Sequence, residues 1–232
     1  MAEQVKSKQR VADHGEVFTN EREVNAMLDM VKQETERIDS RFLEPACGNG
    51  NFLAEVLRRK LEVVKARYSK NLSEYEKYAF VAVGSIYGVE LLQDNAQECR
   101  ERLFNIVSKA YAKQAKKTPN PRFLPAIEYV IGRNILCGDA LSLKDSTGSP
   151  IIFSEWSLAT GSKVKRRDFR LDEMLEGNVA KNETLSLFGD VDDSGDFSSR
   201  ADWEFDEETQ TFIPLPIKEY PLISFYEVGS HE

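Results

Sequence analysis

Three acidic residues stand at equivalent places in this 232-residue chain: Glu44 closes the run FLE, Glu90 closes IYGVE and Asp139 closes NILCGD. Each run is short, apolar and bounded by glycine or a turn, as expected of a buried strand. Between the first and second lies the turn Ala46-Cys47-Gly48-Asn49-Gly50, followed by Asn51-Phe52 and a helical pattern. Gly48 and Gly50 can adopt backbone conformations closed to other residues and let a ligand approach the main chain. The helix behind them would aim unpaired N–H groups at that ligand. Taken alone, the glycine turn is equally the mark of a tight structural turn, and Glu90 of a helix-capping carboxylate.

The order of the three carboxylates is more specific than any one of them. The turn reads Gly48-x-Gly50-x-x-Leu53, without the third glycine of the dinucleotide fingerprint. Glu44 would repel a pyrophosphate but could pair with the amino group of an amino acid. An acidic residue at the tip of the second strand, Glu90, can accept both hydroxyls of a ribose. Asp139 can accept an exocyclic amino group of adenine, with Leu91, Ala140 and Leu141 flanking the ring. The row therefore suits a ligand carrying an amino acid, a ribose and an adenine in line. These features weigh against a nicotinamide-dependent oxidoreductase, as does the scarcity of histidine, His14 and His231 alone.

The elements that must hold these groups follow from periodicity. Asn20 is a candidate N-cap, with Glu23 three residues on as in a capping box, before the helical spacing of Val24, Met27, Leu28 and Val31. A strand is predicted over 41–44, a helix over 51–68 on Phe52, Leu53, Val56, Leu57, Leu61 and Val64, and a further helix over 71–84. A strand over 86–90 leads to a long helix over 93–113. After the break KKTPNP come a helix over 122–131, a strand over 134–137 and a fourth strand starting at 150–153. Alternating strands and helices predict an α/β fold with a parallel sheet covered on both faces. A short helix is expected over 168–175.

Composition sets the surroundings. Hydrophobic residues make up 41% and no apolar run approaches a membrane span. The polar start MAEQVKSKQR lacks the apolar segment of a secretory signal, so a cytoplasmic location is expected. Cys47, Cys99 and Cys137 are widely separated and are expected to be reduced and structural; no metal-ligand spacing occurs. A net charge of −8 argues against indiscriminate nucleic-acid binding. The basic cluster Lys163, Lys165, Arg166, Arg167 and Arg170 has two readings: contact with nucleic-acid phosphates, with Phe169 and Trp156 near a base, or a solvated face paired with the chain's own acidic segment.

GEVFTNEREVNAMLDM followed by RFLEPACGNGNFLAEVLRRKL resembles the N-terminal part of bacterial adenine-N6 DNA methyltransferases of restriction–modification systems, of the type I and IIG kind. Many of these carry GEVFTP and then LEPACGSGNFL; here Asn20 replaces the proline. The match runs over residues 15–141. The resemblance implies a truncated Rossmann-like S-adenosylmethionine (SAM)-dependent methyltransferase fold with an irregular C-terminal tail. It implies that Phe18 and Thr19 cover the methionine end of SAM, that Glu44, Ala46, Gly48, Gly50 and Phe52 form the glycine loop, that Glu90 binds the ribose, and that Asp139 with Ala140 contacts adenine.

That family carries a catalytic motif, a polar residue followed by Pro-Pro and an aromatic, at the end of the fourth strand; the polar group accepts from the target amine and the aromatic stacks on the flipped base. This chain has no Pro-Pro pair. At the corresponding place it reads IIFSEWSL, so Ser154, Glu155 and Trp156 are the degenerate candidates, with a structural strand and a buried Trp156 as the alternative. The expected organisation is a flexible arm over 1–14, a SAM-binding domain over 15–160, a basic helical extension over 161–187, an acidic disordered stretch over 188–211, and a tail over 212–232 that docks as an edge strand or awaits a partner. Three functions stay open: a DNA methyltransferase subunit that obtains its catalytic motif or DNA-recognition surface from a second chain; a SAM-binding regulatory or structural partner without catalysis; and a methyltransferase acting on RNA, protein or a small molecule.

Overall fold

The computed structural model describes residues 6–116, 118–175, 203–206 and 211–230. It is a mixed α/β structure. Strands β1 (Phe42–Glu44), β2 (Ile86–Glu90) and β3 (Ile135–Asp139) form a parallel sheet in that order, and the short β4 (Lys144–Asp145) adds antiparallel to β3. Helices α1 (Lys8–His14), α2 (Glu21–Met30) and α3 (Lys32–Thr35) precede β1; α4 (Asn51–Tyr68) and α5 (Leu72–Gly84) join β1 to β2, and α6 (Gln93–Ala115) and α7 (Phe123–Asn134) join β2 to β3.

Local chemistry fixes these boundaries. The Asn20 side chain accepts the Glu23 N–H at 3.0 Å and starts α2, as the capping pattern predicts. Gly50, at φ +81°, turns the chain into α4, and Asn71 caps α5 through the N–H groups of Ser73 and Glu74. Leu53, Val56, Leu57, Leu61 and Val64 form one buried stripe along α4, each contributing about 1.5–3 kcal/mol by leaving water.

The pleat of the sheet separates two clusters. Ile86 and Ile135 point into the main core with α4, α5, α6 and α7. Tyr87, Val89 and Leu136 point the other way, onto Ile151, Phe153 and Leu171. The second face is thus packed by a β-hairpin and its flanks, where alternating helices had been expected. That hairpin is β5 (Ile152–Leu158) and β6 (Lys163–Arg170), paired antiparallel from Ile152↔Arg170 to Leu158↔Val164. The fourth strand therefore leaves the parallel sheet. Residues 168–170, expected in a helix, end β6, and residues 171–175 are helical.

The tail docks. Beyond the two-stranded β7 (Trp203–Asp206) and β8 (Thr211–Pro214), β9 (Lys218–Glu219) and β10 (Ile223–Ser224) both pair with β6. Phe225 is buried, and the Tyr226 hydroxyl donates to buried Glu76 at 2.6 Å. Of the stretch expected to be disordered, 203–206 and 211 lie in β7 and β8; its other residues fall outside the described set, as do residues 176–187 of the basic extension. Among the described residues no helix is long and apolar enough to cross a membrane.

Candidate functional site

The parallel register explains how the three carboxylates come together. Glu44 is level with Gly88, and Glu90, two residues further on, is level with Cys137; Asp139 lies two residues beyond that. Each strand outreaches the last by about 6–7 Å. Because residues two apart share a face, all three acids issue from the face that carries Ile86 and Ile135. They form a diagonal row at the carboxyl ends of the strands, where open α/β sheets bind ligands.

The glycine loop fills the gap between the first two. Gly48 is at φ +53° and Gly50 at φ +81°. A Cβ on Gly48 would meet the Phe18 ring at 3.2 Å, and one on Gly50 would come within 2.5 Å of Cys99 Sγ. The Gly48 N–H donates to Glu90 Oε2 at 2.8 Å, and the Leu92 N–H to Glu90 Oε1 at 3.0 Å. A carboxylate has about four lone-pair sites; with Asn95 Nδ2 also donating to Oε1 at 3.3 Å, these bonds orient Glu90 and leave one site to accept a hydroxyl group. Asp139 accepts the Leu141 N–H at 2.9 Å; this bond and those from Ser142 hold its carboxyl below its ordinary value. Beside it Leu91 and Leu141 are exposed, Leu141 almost wholly, so an apolar rim flanks the acid.

Glu44 differs from the other two. Its Oε2 is buried and without a partner among the described residues. Burial, with the Glu90 carboxylate beside it, pushes its carboxyl up to about 7. Asn49, also in the loop, is buried; its Nδ2 donates to Glu98 while its Oδ1 has no partner. The orphaned Glu44 acceptor at one end of the row fits a ligand group rich in N–H donors, such as an ammonium. At the same end Asn51 Nδ2 donates to the Thr19 carbonyl at 3.0 Å, bringing Phe18 and Thr19 against the loop. Phe52 is half-buried and Ala46 is exposed.

The chain is a distant relative of a DNA methyltransferase. Over 155 residues it is 25% identical to DNA methyltransferase A of Bacillus subtilis (strain 168), a stretch covering 65% of this chain and 17% of that protein. It therefore spans about a sixth of that relative's length. No family profile matches the chain, and no solved structure matches it.

The remaining candidates lie elsewhere. Glu155 is ion-paired with Arg41, just before β1, and with Arg167 at 2.6 Å. Trp156 packs over Gly84 and donates from Nε1 to Asn134 at 3.2 Å. The Ser154 hydroxyl is buried and donates to Asp168 at 2.7 Å. Gly84 and Asn134 precede β2 and β3, so this trio sits at the amino end of the parallel sheet, opposite the carboxylates. The hairpin's path puts it there: Ser154, Glu155 and Trp156 pair across to Asp168, Arg167 and Arg166.

The basic cluster divides by strand alternation. Arg166 is 5% exposed, bonded to Asp168 at 2.8 Å, and lies over the Tyr220 ring at 4.1 Å. It is a core residue of the hairpin and unsuited to a phosphate, which corrects its sequence-based assignment. Phe169 is likewise buried. Lys163 is exposed, Lys165 pairs with Glu219 at 2.9 Å, and Arg167 is held by Glu155.

Cys47 and Cys99 are buried free thiols and Cys137 is half-buried; Cys99 beside it and burial push the Cys47 thiol up. Among the described residues no group of three or more His, Cys, Asp or Glu could hold a metal ion. Sequence reasoning missed Asn49 and Asn95, and it missed α1. Ser7 accepts the Arg10 N–H at 3.1 Å and Gly15, at φ +64°, closes the helix, so the spacing of Ser7 and Gly15 was the available signal. Residues 6–14, expected as a flexible arm, are tied to the domain by Lys6–Glu98 and Arg10–Asp94 ion pairs, each at 2.7 Å.

Proposed function

We propose that this chain is the SAM-binding part of an adenine-N6 DNA methyltransferase, with a Rossmann-like domain over residues 15–160, working in a restriction–modification or phage-defence system. One observation carries the reading: three carboxylates step along one face of a parallel sheet beside a glycine loop, and the first has an orphaned buried oxygen. The residues fit SAM in order. Glu44 would accept from the methionine ammonium, and Phe18 and Thr19 would wall that end. Glu90, already oriented by two backbone N–H groups and the Asn95 amide, would accept a ribose hydroxyl. Asp139 would accept from the adenine amino group between Leu91, Ala140 and Leu141. When bound, SAM supplies a methyl group on a sulfonium as electrophile. The chain's own work is to hold, orient and shield it.

The target base and the groups that strip its amino protons are assigned to a second polypeptide bearing the Pro-Pro motif, with DNA as substrate. A SAM-binding regulatory partner without catalysis is the second reading; it is favoured by the position of Ser154, Glu155 and Trp156 at the far end of the sheet. Calorimetric titration with SAM, then tritiated-methyl transfer to DNA with and without the proteins encoded nearby, tests both. SAM binding with transfer only in the mixture supports the first reading. Binding without transfer in any mixture supports the second. An absence of SAM binding, or unchanged affinity in both Glu90→Ala and Asp139→Ala, would overturn the site.

A further inference from the structure

The N-terminal segment runs from the glycine loop to the first turn of α6, beside Glu90. Phe18 and Thr19 rest on Gly48 and Asn51. At the other end, α1 is pinned to the first turn of α6: Arg10 bridges Glu16 and Asp94, and Lys6 reaches Asp94, Asn95 and Glu98. Burial would push the Glu16 carboxyl up, but Arg10 and Asn95 outweigh it and hold it below the usual range.

Asn95 links this segment to the ligand row. It is 1% exposed. Its Nδ2 donates to Glu16 Oε1 at 3.0 Å and to Glu90 Oε1 at 3.3 Å, while its Oδ1 accepts from Lys6 at 2.7 Å. One amide thus touches the strap twice and the ribose-side carboxylate once. We infer that residues 6–19 form a strap that closes over the ribose end of the groove, latched to Glu90 through Asn95, and that a nucleoside held by Glu90 draws the strap shut. This rests on the SAM reading.

The physical basis is shared ordering. A ligand hydroxyl on Glu90 fixes that carboxylate, which fixes Asn95, so less freedom remains to be lost when the strap docks. The outer latches are partly exposed ion pairs, individually weak and screened by salt, so the closed strap can open without unfolding the core. Coupling is reciprocal: whatever loosens the strap weakens the ligand by the same factor.

Hydrogen exchange of the amides of residues 8–15 reads the strap directly, with SAM, adenosine and methionine as separate probes. In the intact chain, SAM and adenosine are expected to slow strap exchange about tenfold, within the usual range of such couplings, and methionine to leave it unchanged. Arg10→Ala, which removes an exposed latch and leaves the core intact, is expected to raise strap exchange without ligand and to weaken SAM by the factor of protection lost. Asn95→Ala should abolish the ligand effect. Calorimetric SAM binding with unchanged strap exchange, or an open strap in Arg10→Ala at unchanged SAM affinity, would overturn the coupling. Absence of heat with SAM would end the cofactor reading and the coupling with it. The ligand-free comparison of Arg10→Ala with the parent judges the latch alone, and equal exchange in the two sinks it.

Discussion

At the scale of single residues, Glu44 and Gly50 show a site that is costly to the fold that carries it. The carboxyl of Glu44 sits at about 7 in the folded chain against an ordinary 4.5. Between those values the folded state holds a proton that the unfolded state has released, so stability falls as pH rises through that window, and the full penalty applies above it. Glu44→Gln removes the penalty. Urea denaturation should show the variant about 1–3 kcal/mol more stable than the parent at pH 8 and barely different at pH 5. SAM affinity should move the opposite way, because an ammonium ligand needs the ionised acid. In calorimetry the parent should bind more tightly at pH 7.5 than at pH 6, and Glu44→Gln should bind weakly at both. Gly50 carries the other cost. At φ +81°, with a Cβ placed 2.5 Å from Cys99 Sγ, Gly50→Ala combines a left-handed backbone with a clash in a packed core. It should lose on the order of 3 kcal/mol in the same denaturation experiment.

At the scale of elements, the parallel strands and their helices were legible because each announces itself locally. The stripe Leu53, Val56, Leu57, Leu61, Val64 has helical period, the cap Asn20 has its partner Glu23 three residues on, and the strand tips carry acids beside glycine. Where long-range pairing decided the outcome, the reading failed. Ile152–Leu158 has a strand's composition, and nothing local says whether it joins β1 or turns back on Lys163–Arg170. Within β6, period-two alternation sends Val164, Arg166 and Asp168 inward while Lys163 and Lys165 stay out, so a run that looks uniformly basic is half core. The two faces separate in a stability measurement. Arg166→Ala leaves Asp168 buried and short of its main partner, at a cost of about 3–5 kcal/mol. Lys165→Ala breaks only the outward pair with Glu219 and should cost less than about 1 kcal/mol. Equal losses would mean that the strand does not alternate as described. Charge reversal of Arg166 is for this reason a poor probe of DNA contact; Lys163 is the residue to change.

At the scale of the whole molecule, the distance between the two candidate chemistries decides what the chain can do by itself. Glu90 ends β2, while Trp156 packs over Gly84 immediately before it; six residues of extended chain separate those points by about 20 Å. A methyl group held in the carboxylate row is therefore far outside the few ångströms needed for attack by anything bound at Ser154, Glu155 or Trp156. β1 ends the parallel sheet, Leu43 is 44% exposed on it, and among the described residues no strand pairs with its outer edge. The Phe42 N–H donates to Ser85, so by the parity of a parallel ladder Leu43 turns its N–H and carbonyl outward. That edge adjoins Glu44, at the end of the row where the sulfonium would lie. Two consequences can be measured together. Trp156→Ala should lower stability by about 3 kcal/mol or more, as loss of a large packed aromatic does, yet leave SAM affinity within about twofold, since changes at well-separated sites are nearly independent. The isolated parent should bind SAM and transfer no tritiated methyl to DNA, and a chain bearing the Pro-Pro motif should restore transfer when mixed with it. Methyl transfer by the isolated parent, abolished by Trp156→Ala at unchanged SAM affinity, would place catalysis at the hairpin and refute the division of labour drawn from this geometry.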